Sequence, residues 1–260
     1  MGAAAALLLI IAGGFWLGGA FDDDGSADDP AAAGDCVWST QDTTANSNLK
    51  DVGQPPTTGI PKTGSRPMTI TTNQGAPIVV SLDLAAAPCG AADLTYLAQQ
   101  KFFDKTDCHE ITAEGALRCG DPTGTGLGGP TYSVYNENAP AKADPAPSAS
   151  AGAPAGAPKA APLYPRGTVA LIGNPPGTNG SQFLIFFKDA SPTDPQYSIV
   201  GTVTGGLDTL TKISKIPTVD NGQGTKVKPR DKITVQSLTV GDVAEGAPAP
   251  SGAPSASGQS

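Results

Sequence analysis

Short segments in which apolar and polar residues alternate recur along most of this 260-residue chain. The clearest cover residues 68–72, 78–84 and 233–240, and Gly, Asn, Asp and Pro are frequent between the segments. Alternation with a period of two is typical of strands that bury one face, and the intervening residues favour turns. Apolar residues three and four apart over 94–98 and 207–213 instead indicate two helices. The pattern predicts a mainly β fold, a barrel of antiparallel strands capped by two helices.

The composition limits how much of the chain can fold. The 33 Gly and 25 Pro are concentrated in stretches with little apolar content, so we predict one domain of about 170 residues with tails. The domain is expected over 67–242, after a tether over 22–66 that docks near Cys36. Residues 139–162 are rich in Ala, Pro, Ser and Gly and are predicted to be a loop insertion, because both flanks continue the strand pattern. Residues 243–260 are expected to be a tail that is disordered by composition.

The N-terminus has the composition of a membrane segment. Residues 1–21 contain no charged side chain and end at three consecutive aspartates, a length that suits one helix across a bilayer. A cleaved secretory signal is the alternative, although the chain has no basic residues there and no clear Ala-x-Ala site. We predict a single-pass protein of the cell membrane whose domain lies outside the cytoplasm. The alternative is a secreted protein.

The charge balance argues against nucleic acid as a partner. The formal net charge is −8, whereas nucleic acid phosphates require a basic face. Residues 124–129 satisfy the spacing G-x-G-x-x-G of nucleotide sites, but Pro130 and a strand-like stretch follow where such a site needs a helix. We interpret this segment as a structural or substrate-facing loop, and we predict no cofactor.

Four cysteines follow the apolar N-terminus, at positions 36, 89, 108 and 119. Zinc is disfavoured because no Cys-x-x-Cys pair occurs and His109 is the only histidine, so we predict no metal. An even number of cysteines beyond a membrane segment favours two disulfides, for which three pairings exist. Cys108 and Cys119 flank a short hairpin and could oppose one another, which would leave Cys36 to reach Cys89.

Three stretches carry motifs that a barrel alone does not require. They read Phe102-Phe103-Asp104 followed by Cys108-His109-Glu110, then Cys119-Gly120-Asp121, and finally Thr178-Asn179-Gly180-Ser181-Gln182-Phe183. With these motifs, residues 67–240 resemble the cyclophilin family of peptidyl-prolyl cis-trans isomerases, and in particular its membrane-anchored actinobacterial members. The resemblance implies a closed antiparallel barrel of eight strands with two helices. It also implies rotation about X-Pro bonds without a cofactor, in proline-containing peptides or unfolded exported proteins.

The resemblance implies site residues, and several differ from those usual in the family. Glu110 stands where the family has its catalytic arginine, and Gly115 and Arg118 stand where a phenylalanine and a glutamine usually line the pocket. The family's other catalytic-site glutamine is retained as Gln182. We predict Arg118 and Gln182 as catalytic residues, and Ala116, Ile172, Leu184 and Tyr197 as substrate-binding residues.

The exchange of charges at positions 110 and 118 leaves two hypotheses. Glu110 and Arg118 lie on adjacent strands of a tight hairpin, so they could form an ordinary cross-strand ion pair. Alternatively, Arg118 could point into the groove and replace the missing donor. The sequence therefore predicts an isomerase that assists the folding of exported proteins. The alternative is a peptide-binding or scaffold module with weak or no isomerase activity.

Overall fold

The computed structural model describes residues 36–142 and 161–244. Within these two ranges, no helix is both long enough and apolar enough to span a membrane. The predicted membrane segment at 1–21, most of the insertion and most of the tail lie outside the described residues.

Sixteen strands and two helices make up the described part of the chain. The helices are α1 (Pro88–Gln99) and α2 (Leu207–Ile213). The strands of the first half are β1 (Ser39–Thr40), β2 (Leu49–Lys50), β3 (Ser65–Thr72), β4 (Ile78–Asp83), β5 (Thr106–Cys108), β6 (Glu110–Ile111), β7 (Ala116–Cys119), β8 (Gly129–Pro130) and β9 (Tyr132–Tyr135). Those of the second half are β10 (Thr168–Leu171), β11 (Thr178–Asn179), β12 (Phe183–Phe186), β13 (Ser198–Gly205), β14 (Thr218–Asp220), β15 (Lys226–Pro229) and β16 (Ile233–Val240).

Nine of these strands form a nearly closed antiparallel barrel. Their order is β5-β16-β3-β4-β13-β10-β12-β7-β6. Only His109 separates β5 from β6, so one stretch of chain pairs with β16 through its first half and with β7 through its second. If β5 and β6 are counted as one continuous strand, the barrel therefore has eight strands. The predicted mainly β barrel with two helices is confirmed.

The core fills the barrel because the strands alternate. Ile78, Val80 and Leu82 of β4 point inward and are fully buried, while their neighbours are partly exposed. Helix α1 adds Leu94 and Leu97 to the same core. These contacts bury most of the large apolar side chains of the domain, which is the main favourable term in folding.

Residues 36–64 lie against the barrel at several points. Trp38 is buried and packs edge-on against Tyr132, with ring centroids 5.6 Å apart. Strand β1 pairs with β9, and β2 pairs with β8. Further along, the Tyr96 hydroxyl donates to the carbonyl of Val52 at 2.5 Å. The docking predicted near Cys36 is therefore extended by two short strand pairings, so part of the range predicted as a tether is packed on the domain.

All four cysteines form disulfides. Cys36 bonds to Cys89 at the start of α1, and Cys108 of β5 bonds to Cys119 of β7. The prediction of two disulfides is confirmed. Of the three pairings, the structure has the one in which Cys108 and Cys119 oppose one another, and this bond joins β5 to β7.

Candidate functional site

A second apolar cluster lies on the outer face of the barrel. In β7, Leu117 and Cys119 join the inner core, whereas Ala116 belongs to the outer cluster. In β12, Phe183 joins the inner core and Leu184 the outer cluster, because successive side chains of a strand point to opposite faces. The buried members of the outer cluster are Ala116, Tyr164, Ala170, Leu184, Phe186 and Ala190.

Charged and polar side chains lie beside this cluster on the same face. Arg118 is the direct cross-strand partner of both Glu110 and Leu184. Its Nη1 lies 3.1 Å from Oε2 of Glu110, and its Nε donates to Oε1 of Gln182 at 2.9 Å. The side chains of Arg118 and Glu110 are 22% and 23% exposed. Its Nη2 also donates to the carbonyl of Gly126 at 3.5 Å, so the guanidinium is oriented by three partners and remains accessible at the rim of the cluster.

Gln182 ties Arg118 to the neighbouring loop. Its Nε2 donates to the carbonyls of Gly126 and Gly128, at 3.0 and 2.8 Å. Its Oε1 accepts from Arg118, so both ends of the amide are engaged. In this arrangement Gln182 positions the guanidinium and the loop.

The loop over residues 121–128 is organised by one buried carboxylate. Asp121 accepts hydrogen bonds from the backbone of Thr123 and of Gly126, at 2.7 and 2.5 Å. Burial alone would raise the pKa of Asp121, but hydrogen bonds from Thr123, Gly128 and Gly126 outweigh it, and the pKa is lowered. A Cβ at position 128 would lie 2.0 Å from Oδ1 of Asp121, so only glycine fits there without a clash. The segment that mimics a nucleotide motif is therefore a structural loop beside Arg118.

His109 lies next to the same loop. Burial lowers its pKa to about 4, assisted by the positive charge of Arg118 and opposed by Asp121, so its ring is neutral at pH 7. Neither ring nitrogen has a hydrogen-bond partner among the described residues. Over 36–142 and 161–244, no three His, Cys, Asp or Glu side chains are grouped so as to hold a metal ion.

The predicted substrate-binding residues fall into two groups. Ala116 and Leu184 are 0% and 1% exposed, so they form the floor beneath the outer surface. Ile172 and Tyr197 are partly buried and line an open cleft of about 230 Å³. Gly173, Pro176, Gly177, Thr178, Asp194 and Gln196 complete its wall.

The position where the family's phenylalanine would stand is occupied by Gly115 and covered by Lys188. Gly115 has a φ of +87°, and a Cβ there would lie 2.1 Å from Cε of Lys188. The aliphatic chain of Lys188 therefore occupies the space next to Gly115, and its ammonium donates to the carbonyl of Ala113.

Tyr164 belongs to the site, although no motif or local pattern marked it. Its ring stacks on Phe186, with centroids 4.9 Å apart, and contacts the ring of Tyr197 at 5.5 Å. Its hydroxyl donates to the carbonyl of Tyr197 and accepts from the Tyr197 amide. Burial raises the pKa of Tyr197, as do Glu114 and Glu110, while Arg118 opposes them. Glu114, which the sequence analysis did not single out, thus contributes negative charge near Tyr197.

A nearly closed antiparallel barrel with two helices, which carries an ion pair beside an apolar cluster on its outer wall, defines a class of small β-barrel domains. The model of the cyclophilin type peptidyl-prolyl cis-trans isomerase family matches residues 67–240, and the chain belongs to this family.

Relatives with the same family name occur in mycobacteria. The probable peptidyl-prolyl cis-trans isomerase B of Mycobacterium tuberculosis is 37% identical over 198 residues, which are 69% of this chain and 58% of that protein. Its counterpart in Mycobacterium leprae is 37% identical over 201 residues, which are 71% of this chain and 61% of that protein. The chain thus spans about three fifths of the length of these relatives.

A solved structure supports the fold. The cyclophilin type peptidyl-prolyl cis-trans isomerase of Cryptosporidium parvum aligns with a TM-score of 0.52 and 22% identity. The alignment covers 69% of this chain and 99% of the other. A second structure of the same protein, in the presence of the dipeptide Ala-Pro, aligns with a TM-score of 0.51.

Proposed function

We propose that this domain isomerises X-Pro peptide bonds in exported proteins. One observation carries the proposal: the guanidinium of Arg118 is held by Glu110 and Gln182 at the edge of an apolar outer cluster. Rotation about an X-Pro bond passes through a twisted amide, with a barrier of about 18–20 kcal/mol in planar amides. A fixed donor near the imide nitrogen favours the twisted form over the planar one, and this lowers the barrier.

The groove suits a peptide that contains proline. Ile172 and the ring of Tyr197 line this cleft and offer apolar surface for a proline ring. The Cryptosporidium relative was solved in the presence of Ala-Pro, which supports a small residue before the proline. We propose that Arg118 donates to the peptide with the N–H groups that Glu110, Gln182 and the carbonyl of Gly126 leave unused.

A second candidate function is peptide binding with little catalysis. Two observations favour it. Arg118 is already shared between Glu110 and Gln182, and its charge is compensated by the carboxylate. Ala116 and Leu184 have almost no exposed surface, so these two predicted substrate-binding residues offer a peptide little apolar contact. Under this hypothesis peptides bind, but the twisted amide gains little stabilisation.

A protease-coupled assay of X-Pro isomerisation on the full chain separates the two functions. If Arg118 supplies the donor, Arg118→Ala lowers kcat/KM at least about tenfold, which corresponds to 1.4 kcal/mol of transition-state stabilisation. Arg118→Lys is the matched control, because it keeps the positive charge and loses the forked geometry. Activity that Arg118→Ala leaves unchanged would refute the catalytic role.

If the missing arginine at position 110 limits the natural enzyme, Glu110→Arg combined with Arg118→Gln raises kcat/KM at least about tenfold. A peptide that binds to the natural chain without being isomerised would favour the second function.

We also propose that the domain works outside the cytoplasm, anchored by residues 1–21. The two disulfides support this location, because such bonds persist in oxidising compartments. The apolar composition of 1–21 supports the anchor over a soluble N-terminus. Mass spectrometry of the mature protein from washed membranes tests both points. A mature N-terminus after residue 21 in the soluble fraction would contradict the anchor.

A further inference from the structure

The insertion that interrupts the domain is itself rich in X-Pro bonds. Between residues 139 and 162 the chain contains Ala-Pro at 139–140, 146–147, 153–154, 157–158 and 161–162, and Asp-Pro at 144–145. All six are X-Pro bonds, the type of bond that the proposed function concerns. The position of the insertion relative to the groove decides whether these bonds could reach it.

The chain that leads into the insertion is held along one wall of the groove. The side chain of Asn136 donates to the carbonyl of Gln196 at 2.8 Å, and Asn138 donates to the carbonyl of Ile199 at 3.1 Å. Lys142, the last described residue before the gap, lies 3.4 Å from the carboxylate of Asp194. Asp194 and Gln196 line the cleft that contains Ile172 and Tyr197.

The chain that leaves the insertion returns to the same wall. The backbone amide of Leu163 donates to the hydroxyl of Ser191 at 3.2 Å. Tyr164 forms a bridge with Ala190, and its hydroxyl exchanges two hydrogen bonds with the backbone of Tyr197. Both flanks of the insertion are therefore fixed to residues 190–199, the segment that supplies Tyr197 to the cleft.

The segment between the flanks is long enough to reach the cleft. Residues 143–160 number eighteen, and eighteen residues can extend over roughly 60 Å. A ligand tethered this closely acts at an effective concentration in the millimolar range. Even a weak intrinsic affinity for Ala-Pro would then suffice for substantial occupancy. Asp144 and Lys159 give the segment no net charge, so the charged rim of the groove does not oppose it.

We propose that the Ala/Pro insertion is a ligand of its own groove and competes with external peptides for it. The inference rests on the proposed function, since it requires that the groove binds X-Pro bonds. It specifies the insertion rather than the C-terminal tail, which also contains Ala-Pro, at 247–248, 249–250 and 253–254. Ala244, the last described residue before the tail, pairs with Ser65 at the start of β3. In the order of the barrel strands, β3 lies opposite β12.

Two proline-to-alanine variants of the full chain test the proposal. One replaces Pro145, Pro147, Pro154 and Pro158 of the insertion, and the matched control replaces Pro248, Pro250 and Pro254 of the tail. The probe is the capped peptide Ala-Ala-Pro-Ala, whose Kd is measured by NMR titration. The insertion variant is expected to lower the apparent Kd at least about twofold, as when the effective concentration of a tethered competitor reaches its own Kd. The tail variant should leave it unchanged.

The NMR spectra without peptide give a second readout. Occupancy by the insertion predicts that amide signals of Ile172, Gln196 and Tyr197 differ between the natural chain and the insertion variant, while signals of β3 do not. Equal Kd values together with identical groove signals would overturn the inference and leave the proposed function intact. If neither the natural chain nor the insertion variant binds the probe, the proposed function fails and the inference falls with it.

Discussion

The inner and outer faces of the same barrel strands carry different kinds of side chain. On the inner face of β7 and β12, Leu117, Phe183 and Ile185 are apolar and buried in a continuous core. On the outer face, Arg118 pairs with Glu110 and remains accessible, beside small or covered apolar residues. The strands thus support the fold with one set of alternating residues and the candidate site with the other. Substitutions on the two faces should therefore affect different properties.

The largest expected effect is on the inner face. Phe183→Ala removes a fully buried ring that contacts Phe103 with centroids 5.8 Å apart. Such a truncation leaves a cavity and should lower the free energy of unfolding by about 3–5 kcal/mol. Chemical denaturation measures this change. If the free energy of unfolding falls by less than about 1 kcal/mol, the core has collapsed into the cavity left by Phe183. The difference in stability effects between the inner and outer faces would then be smaller than the structure indicates.

The next effect is a pH dependence of stability that arises from Asp93, a buried residue of α1. Burial raises the pKa of Asp93 in α1 to about 7, although the hydrogen bond that Tyr132 donates to it opposes the shift. The folded state then binds the proton of Asp93 more tightly than the unfolded state, whose pKa is near 3.8. This contribution to stability is complete below about pH 4 and is lost as the pH rises towards 7, at up to about 1.4 kcal/mol per pH unit.

Asp93→Asn should flatten this dependence, because asparagine keeps an acceptor for Tyr132 and does not titrate. The measurement is the free energy of unfolding at several values between pH 4 and pH 8, with Asp208→Asn on the exposed face of α2 as the control. An equally steep decline in the Asp93→Asn variant would exclude Asp93 as its source. Isomerase activity should be independent of this substitution, since Asp93 lies inside the domain.

The smallest effect on stability is expected at the outer face. Arg118→Ala breaks a partly exposed ion pair, and such pairs contribute about 0–1 kcal/mol. Glu110→Gln, which keeps an acceptor for Arg118, should change the free energy of unfolding even less. Thermal unfolding of both variants measures this. A loss of several kcal/mol from Arg118→Ala would show that the pair maintains the barrel, and the division between a structural face and a functional face would then fail.

Several features of the fold could be predicted from local patterns. Alternation over residues 78–84 and 233–240 predicted β4 and β16, because one buried face imposes a period of two. The structure of residues 36–64 was harder to predict, because β1 and β2 are only two residues long and cannot show an alternating pattern. Their position depends on pairing with β9 and β8, which are about eighty to ninety residues away in the sequence.

The candidate site likewise combines residues that local patterns predicted with residues that depend on distant contacts. Positions 110 and 118 could be matched because a tight hairpin places them opposite one another, and the structure pairs them directly. Tyr164 was missed because its partners, Phe186 and Tyr197, lie beyond the next two strands, and no local pattern marks the contact. The packing of the Lys188 side chain against Gly115 was missed for the same reason.

The amino-acid sequence was sufficient to predict the class of fold, the presence of two disulfides, the family motifs and the place at which the Ala/Pro segment interrupts the domain. These depend on composition, spacing and the alternation of neighbouring residues. The tertiary structure was needed to show that Gln182 orients the guanidinium of Arg118, which lies 64 residues away in the sequence. It also decided that both flanks of the insertion meet the segment carrying Tyr197. The physical reason is that such contacts depend on the register between strands that are distant in the chain, and barrel closure sets that register.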